Sequence, residues 1–117
     1  MLIKAEYYAR NNDATNAMLW VNRLREKRFK AADYVPMTAS SPADALAKVI
    51  EERRREFFGR MLRWWDMRRL KNEPAFQKTY TRVFNGATYT LAPNSDRYVF
   101  PIAQSLINLN PELEPNP

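Results

Sequence analysis

Cysteine and histidine are both absent from the 117 residues, and glycine occurs only twice. Each absence closes off some chemistry. Without Cys or His there is no ordinary nucleophile–base arrangement for acyl transfer, no Cys/His metal site and no disulfide. Gly59 and Gly86 stand alone, so no glycine-rich loop can cradle a phosphate. No metal or cofactor is expected. Nor does any run approach the roughly 18 apolar residues that a membrane-spanning helix needs. The opening MLIKAEYYARNN has too short an apolar run for a signal peptide, and no small-residue cleavage site follows it. It reads as the middle of a helix, so the chain is expected to be a piece of something longer.

What is present is ordinary for a folded protein: 45% apolar and 27% charged residues, with a net charge of +6. The length allows one domain with a real core. The charge invites two readings, and both weaken on inspection. Glu52 and Glu56 lie one helical turn apart and could form a carboxylate pair. Arg53, Arg55 and Arg60 crowd them, and nearby cations lower a carboxylate pKa, the wrong direction for a general acid. An enzyme is therefore not expected. The basic triplet Arg53-Arg54-Arg55 and the cluster Arg68, Arg69 and Lys71 could face phosphates. But Glu51–Arg55 and Glu56–Arg60 have the spacing of helical ion pairs, which would neutralise the patch locally. A salt-bridged, solvated face is expected and nucleic acid is not. Trp64-Trp65 cannot form one flat platform, because adjacent helical residues point about 100° apart. One is expected in a core, the other at its rim.

Along the chain, residues 1–28 read as a helical hairpin. Asn11-Asn12-Asp13 breaks it, Asp13 caps the second helix, and Ala17, Met18, Val21, Leu24 and Arg25 fall on or near one face. The spacing of Ala5, Tyr8, Ala17 and Val21 resembles a tetratricopeptide unit, with Lys4 departing from the pattern. After a loop from Phe29 to Ser40, Ser41-Pro42 restarts the helix, with Asp44 in its first turn. One long helix over 41–71 is expected, with Gly59 marking close packing or a bend. Its apolar stripe would run through Leu46, Ile50, Phe57, Met61 and Trp65, widened by Phe58 and Leu62. Arg54 falls on that stripe and would need a buried partner. Residues 72–117 form an irregular, proline-rich tail holding a short β-hairpin. Asn85-Gly86 between Arg82-Val83-Phe84 and Thr88-Tyr89-Thr90-Leu91 signals a two-residue turn. Tyr98 to Pro101 should be extended, and Ala103 to Leu109 one helical turn. The fold class is thus mainly α: a tetratricopeptide-like hairpin, one long helix, then a short β-hairpin and an irregular tail.

Three segments together resemble the C-terminal part of the SusD/RagB family of outer-membrane nutrient-binding lipoproteins. Glu52-Arg53-Arg54-Arg55-Glu56, followed by Arg63-Trp64-Trp65-Asp66-Met67-Arg68-Arg69, resembles the family's E-R-R-x-E…R-W-x-D-L-x-R helix. Tyr98-Val99-Phe100-Pro101-Ile102 resembles its near-terminal "lPIP" segment, and Asn110-Pro111 with Asn116-Pro117 its closing N-P pairs. Arg60 departs from a frequent Glu and Ala103 from the second Pro. The resemblance implies a non-enzymatic, lipid-anchored protein on the outer-membrane surface. It would bind an oligosaccharide or peptide and pass it to a TonB-dependent transporter, with the remainder of the SusD-like protein preceding this chain. No binding residue carries over. Glu52, Arg53, Arg54, Glu56, Arg63, Trp64, Asp66 and Arg68 are expected to be structural, locking the long helix against the hairpin.

A different class stays open: a helical-repeat module that binds protein. A lone hairpin cannot bury its own face. Leu2, Met18 and Trp20 are therefore expected to lie on an open apolar patch of the first two helices.

Overall fold

A computed structural model describes residues 1–115, so the final Asn116-Pro117 pair lies outside the described residues. The fold is mainly α, as expected. In chain order it comprises α1 (Leu2–Arg10), α2 (Ala14–Arg25), α3 (Pro42–Glu56), α4 (Leu62–Leu70), β1 (Tyr80–Phe84), β2 (Ala87–Leu91) and α5 (Gln104–Leu109). Two compact units result, Met1–Arg63 and one beginning at Trp64.

In the first unit, α1, α2 and α3 each pack on the other two. Asn12 takes the left-handed conformation (φ 61°) that Asn tolerates, and this closes the turn between α1 and α2. Asp13 then caps α2, its Oδ1 accepting from the Asn16 amide at 2.9 Å. The core is Leu2, Ala5 and Ala9 from α1, Ala17, Met18, Val21 and Leu24 from α2, and Ala45 and Val49 from α3. Alanines at the crossing points let the helices approach closely. The expected open patch is therefore corrected: α3 covers that face, Leu2 and Met18 are buried, and Trp20 is half-buried between Lys4 and Arg23. The exposed apolar residues of these helices are others, among them Ile3, Tyr7 and Leu19.

The connection to α3 is fastened through Asn22. Its amide donates to the Met37 carbonyl and accepts from the Met37 amide, both at 2.8 Å. Ser41 caps α3, its hydroxyl accepting from the Asp44 amide at 3.1 Å, with Pro42 in the first turn.

The expected single helix over 41–71 is two helices. Gly59 adopts φ +73° and Met61 φ +59°, and no helix continues through two left-handed residues. A Cβ at Gly59 would meet nothing within 4 Å, so this glycine marks a break and not close packing.

In the second unit, Asn85 (φ 49°) and Gly86 (φ 75°) form the two-residue turn that their sequence demands. The strands pair antiparallel, with Tyr80 opposite Leu91, Arg82 opposite Tyr89 and Phe84 opposite Ala87. Asp96–Tyr98 forms a 3₁₀ turn, so the extended segment begins at Val99, one residue later than proline's effect on Phe100 suggested. The buried residues are Asp66, Leu70 and Tyr98.

Candidate functional site

The motif residues are divided between the two units. In the first, charged side chains of α3 reach the helical hairpin. Arg25 Nη1 donates to Glu52 Oε2 at 3.2 Å, with the two side chains only 14% and 7% exposed. Arg28 makes a two-pronged contact with Glu56, Nη2–Oε1 at 2.6 Å and Nε–Oε2 at 3.0 Å. Arg53 Nε lies 3.9 Å from Glu6 Oε2, and Glu6 also accepts from Arg10 at 3.0 Å. The Arg28 guanidinium, with Arg60 at longer range, holds the Glu56 carboxyl below its ordinary value. That is the direction expected from the cations around it, and it is unsuited to a general acid.

Arg54 requires correction. It is exposed, whereas Glu52 is buried and Arg53 half-buried. The buried residues of α3 are Ala45, Val49, Ile50 and Glu52, with Arg53 half-buried, so beyond Ile50 the inward face carries charge and Arg54 turns outward. Of the stripe beyond Ile50, Phe57 packs against the core and Leu62 is half-buried, whereas Phe58, Met61 and Trp65 are exposed. Glu51–Arg55 forms as its spacing predicts, at 3.4 Å. The expected Glu56–Arg60 helical pair does not. The helix ends at Glu56, and that carboxylate is taken by Arg28.

In the second unit, Asp66 is buried and accepts from Arg69 Nε at 2.8 Å. Arg68 lies over the Trp65 ring at 5.2 Å, and Trp65 is half-exposed. Trp64 is the packed member of the pair: its ring centroid is 5.1 Å from Phe100 and 5.6 Å from Tyr98. Arg63, the last residue of the first unit, is half-buried near the start of α4. The Trp64 Nε1 and Arg25 Nε donors are buried and have no hydrogen-bond partner among the described residues. No group of three or more acidic residues able to hold a metal occurs among the described residues.

The second unit also carries a cavity of about 290 Å³ between Trp64 and the hairpin. Strand alternation and register place Tyr80, Arg82, Tyr89 and Leu91 on one face of the hairpin, and all four line it. Thr81, Thr90 and Arg97 complete the lining, and no carboxylate takes part. Tyr80 and Arg97 were not singled out in the sequence, and Arg82 and Tyr89 only as strand residues flanking the turn. The Asn85-Gly86 turn was the available signal: once it fixes the register, alternation alone puts two tyrosines and an arginine on one face.

No helix among the described residues is long and apolar enough to cross a membrane. The model of one family, described as the SusD family, matches residues 1–117, the whole length of the chain. No curated protein and no solved structure matches it.

Proposed function

The chain belongs to the SusD family, and from that membership we propose that it is the C-terminal portion of a surface protein that captures nutrient glycans for a TonB-dependent outer-membrane transporter. The carrying observation is the family match over all 117 residues. Binding, not catalysis, fits the local chemistry. Glu56, half of the one plausible carboxylate pair, is held ionised by Arg28, and Glu52 is committed to Arg25 and Arg55. Attachment to the outer membrane would come through a lipid anchor carried by the rest of the protein.

Within this reading the motif residues of α3 are structural. Glu52 and Arg53 through largely buried ion pairs, and Glu56 through a more exposed one, would set the register of α3 on the hairpin. Trp64 and Asp66 organise the second unit in the same sense. The repeat-module alternative loses its main support, because the hairpin face that would have stacked on a further repeat is occupied by α3.

Two measurements test the proposal. Glycan arrays probed with the protein should light up, and cross-linking in the native outer membrane should capture a TonB-dependent transporter. A blank array together with cross-links only to soluble proteins would sink it.

A further inference from the structure

The cavity of the second unit combines features that the family match does not address. Arg82 and Arg97 both line it, and neither guanidinium makes a hydrogen bond or ion pair among the described residues. Elsewhere in the chain Arg25 engages Glu52, Arg53 engages Glu6, and Arg69 engages the buried Asp66. Arg82 lies over the Phe84 ring at 5.9 Å, but no carboxylate in the lining neutralises either guanidinium, which leaves positive charge uncompensated there. The rest of the lining is three aromatic residues, Trp64, Tyr80 and Tyr89, with Thr81, Thr90 and Leu91. Trp64 is held in place by its contacts with Tyr98 and Phe100, so its indole is a preformed surface.

This combination selects a ligand class. Ring faces take up the C–H face of a pyranose, and tyrosine and threonine hydroxyls can meet its hydroxyl groups. Sites for neutral sugars commonly rely on carboxylate or amide side chains to grip pairs of hydroxyls, and none lines this cavity. Guanidinium forks instead match a planar carboxylate or a sulfate, with two parallel charge-assisted hydrogen bonds. The volume is near the lower end of the roughly 300–1,000 Å³ usual for ligand sites, enough for one unit of a longer chain.

We propose that the cavity formed by Trp64, Tyr80 and Tyr89 with Arg82 and Arg97 is a subsite for an anionic sugar unit, carrying a carboxylate or a sulfate. This deepens the glycan-capture reading and rests on it. Titration calorimetry at fixed salt tests it with three probes: trigalacturonate, a sulfated carrageenan tetrasaccharide and neutral maltotriose. At least one anionic probe should bind at least about tenfold tighter than maltotriose, and which one binds identifies the anion. The double variant Arg82→Ala/Arg97→Ala should weaken that binding about tenfold or more with an unchanged melting temperature, since both side chains are exposed. Lys27→Ala/Arg60→Ala removes the same charge from exposed positions in the other unit and should change affinity less than about twofold.

Equal losses in the two double variants would mean bulk attraction to a basic protein and overturn the subsite. So would an anionic probe that binds regardless of Arg82 and Arg97, or a panel in which nothing binds. A glycan array positive only for neutral glycans would overturn the subsite while leaving glycan capture standing. An array with no signal would remove both.

Discussion

The two units spend their charged residues in opposite ways. In the first, acids and bases point into helix contacts: Glu52 meets Arg25, Glu56 meets Arg28, and Glu6 meets Arg53, around a core of alanine and aliphatic side chains. In the second, Asp66 alone among the described residues is charged and buried; Arg82 and Arg97 are exposed with no ion pair among the described residues, Arg82 lying over the Phe84 ring, and every residue from Thr81 to Thr90 is exposed. A charged side chain packed between helices is constrained to one partner and serves the fold. One left on an open hairpin beside aromatic rings is free to serve a ligand. On the proposed glycan-capture reading, the first unit would be scaffold and the second the recognition surface.

Core truncation should separate them most strongly. Met18 is buried among all three helices of the first unit. Met18→Ala should cost about 2–5 kcal/mol, the range for large-to-small changes in a packed core. Val83→Ala, on the exposed hairpin, should fall within about 0.5 kcal/mol. Chemical denaturation followed by far-UV circular dichroism measures both. Similar losses would erase the distinction between scaffold and surface.

The next effect concerns the ion pairs. Removing one partner of a buried pair costs about 3–5 kcal/mol, because the other charge is left alone. Arg25 keeps some access to water, so Glu52→Ala should fall toward the lower end of that range, about 3 kcal/mol. Arg54→Ala, exposed two positions on, should cost less than about 0.5 kcal/mol. If the two variants behaved alike, α3 would not present the face described. The Glu56–Arg28 pair adds a pH signature. Its carboxyl is depressed below 4.5, so the stability it contributes is present above that value and is lost as pH falls through the depressed one. Acid titration should therefore show a loss of stability below about pH 4.5 that is shallower in Glu56→Gln.

These contrasts also mark what the sequence made legible. Local signals carried well. Asp13 and Ser41 cap the helices they precede, and Asn85-Gly86 turns the hairpin, because each acts through its own backbone within a few residues. The inward face of α2 was equally plain, since Ala17, Met18, Val21 and Leu24 repeat with the helical period. The face of α3 was legible only in part: Leu46, Ile50 and Phe57 pack inward as their spacing suggests, but Arg54 does not. Periodicity follows apolar residues, and there the inward register carries Glu52 and Arg53, whose partners Arg25 and Glu6 lie in other helices. Nothing local to Arg54 says that it points outward. The cavity was hidden for a related reason: Trp64 and Arg97 join the hairpin face only through the fold of the second unit.

Gly59 gives the smallest effect and the sharpest sign. The stretch from Glu51 to Lys71 is rich in good helix formers and holds no proline, so propensity alone favours continuity. In a continuous helix, Gly59→Ala would stabilise by about 0.5–1 kcal/mol, because alanine gives up less chain entropy than glycine. In the structure Gly59 sits at φ +73°. Space is not the obstacle, since an added Cβ meets nothing within 4 Å. The cost is the backbone conformation itself, about 1–2 kcal/mol for an L-residue in the left-handed region. Gly59→Ala should therefore destabilise by roughly 1 kcal/mol, and Gly59→Asn less, since Asn tolerates that region. Two thermal melts decide the matter. A rise in melting temperature for the alanine variant would join α3 to α4 in one helix. The boundary between scaffold and recognition surface would then lie elsewhere.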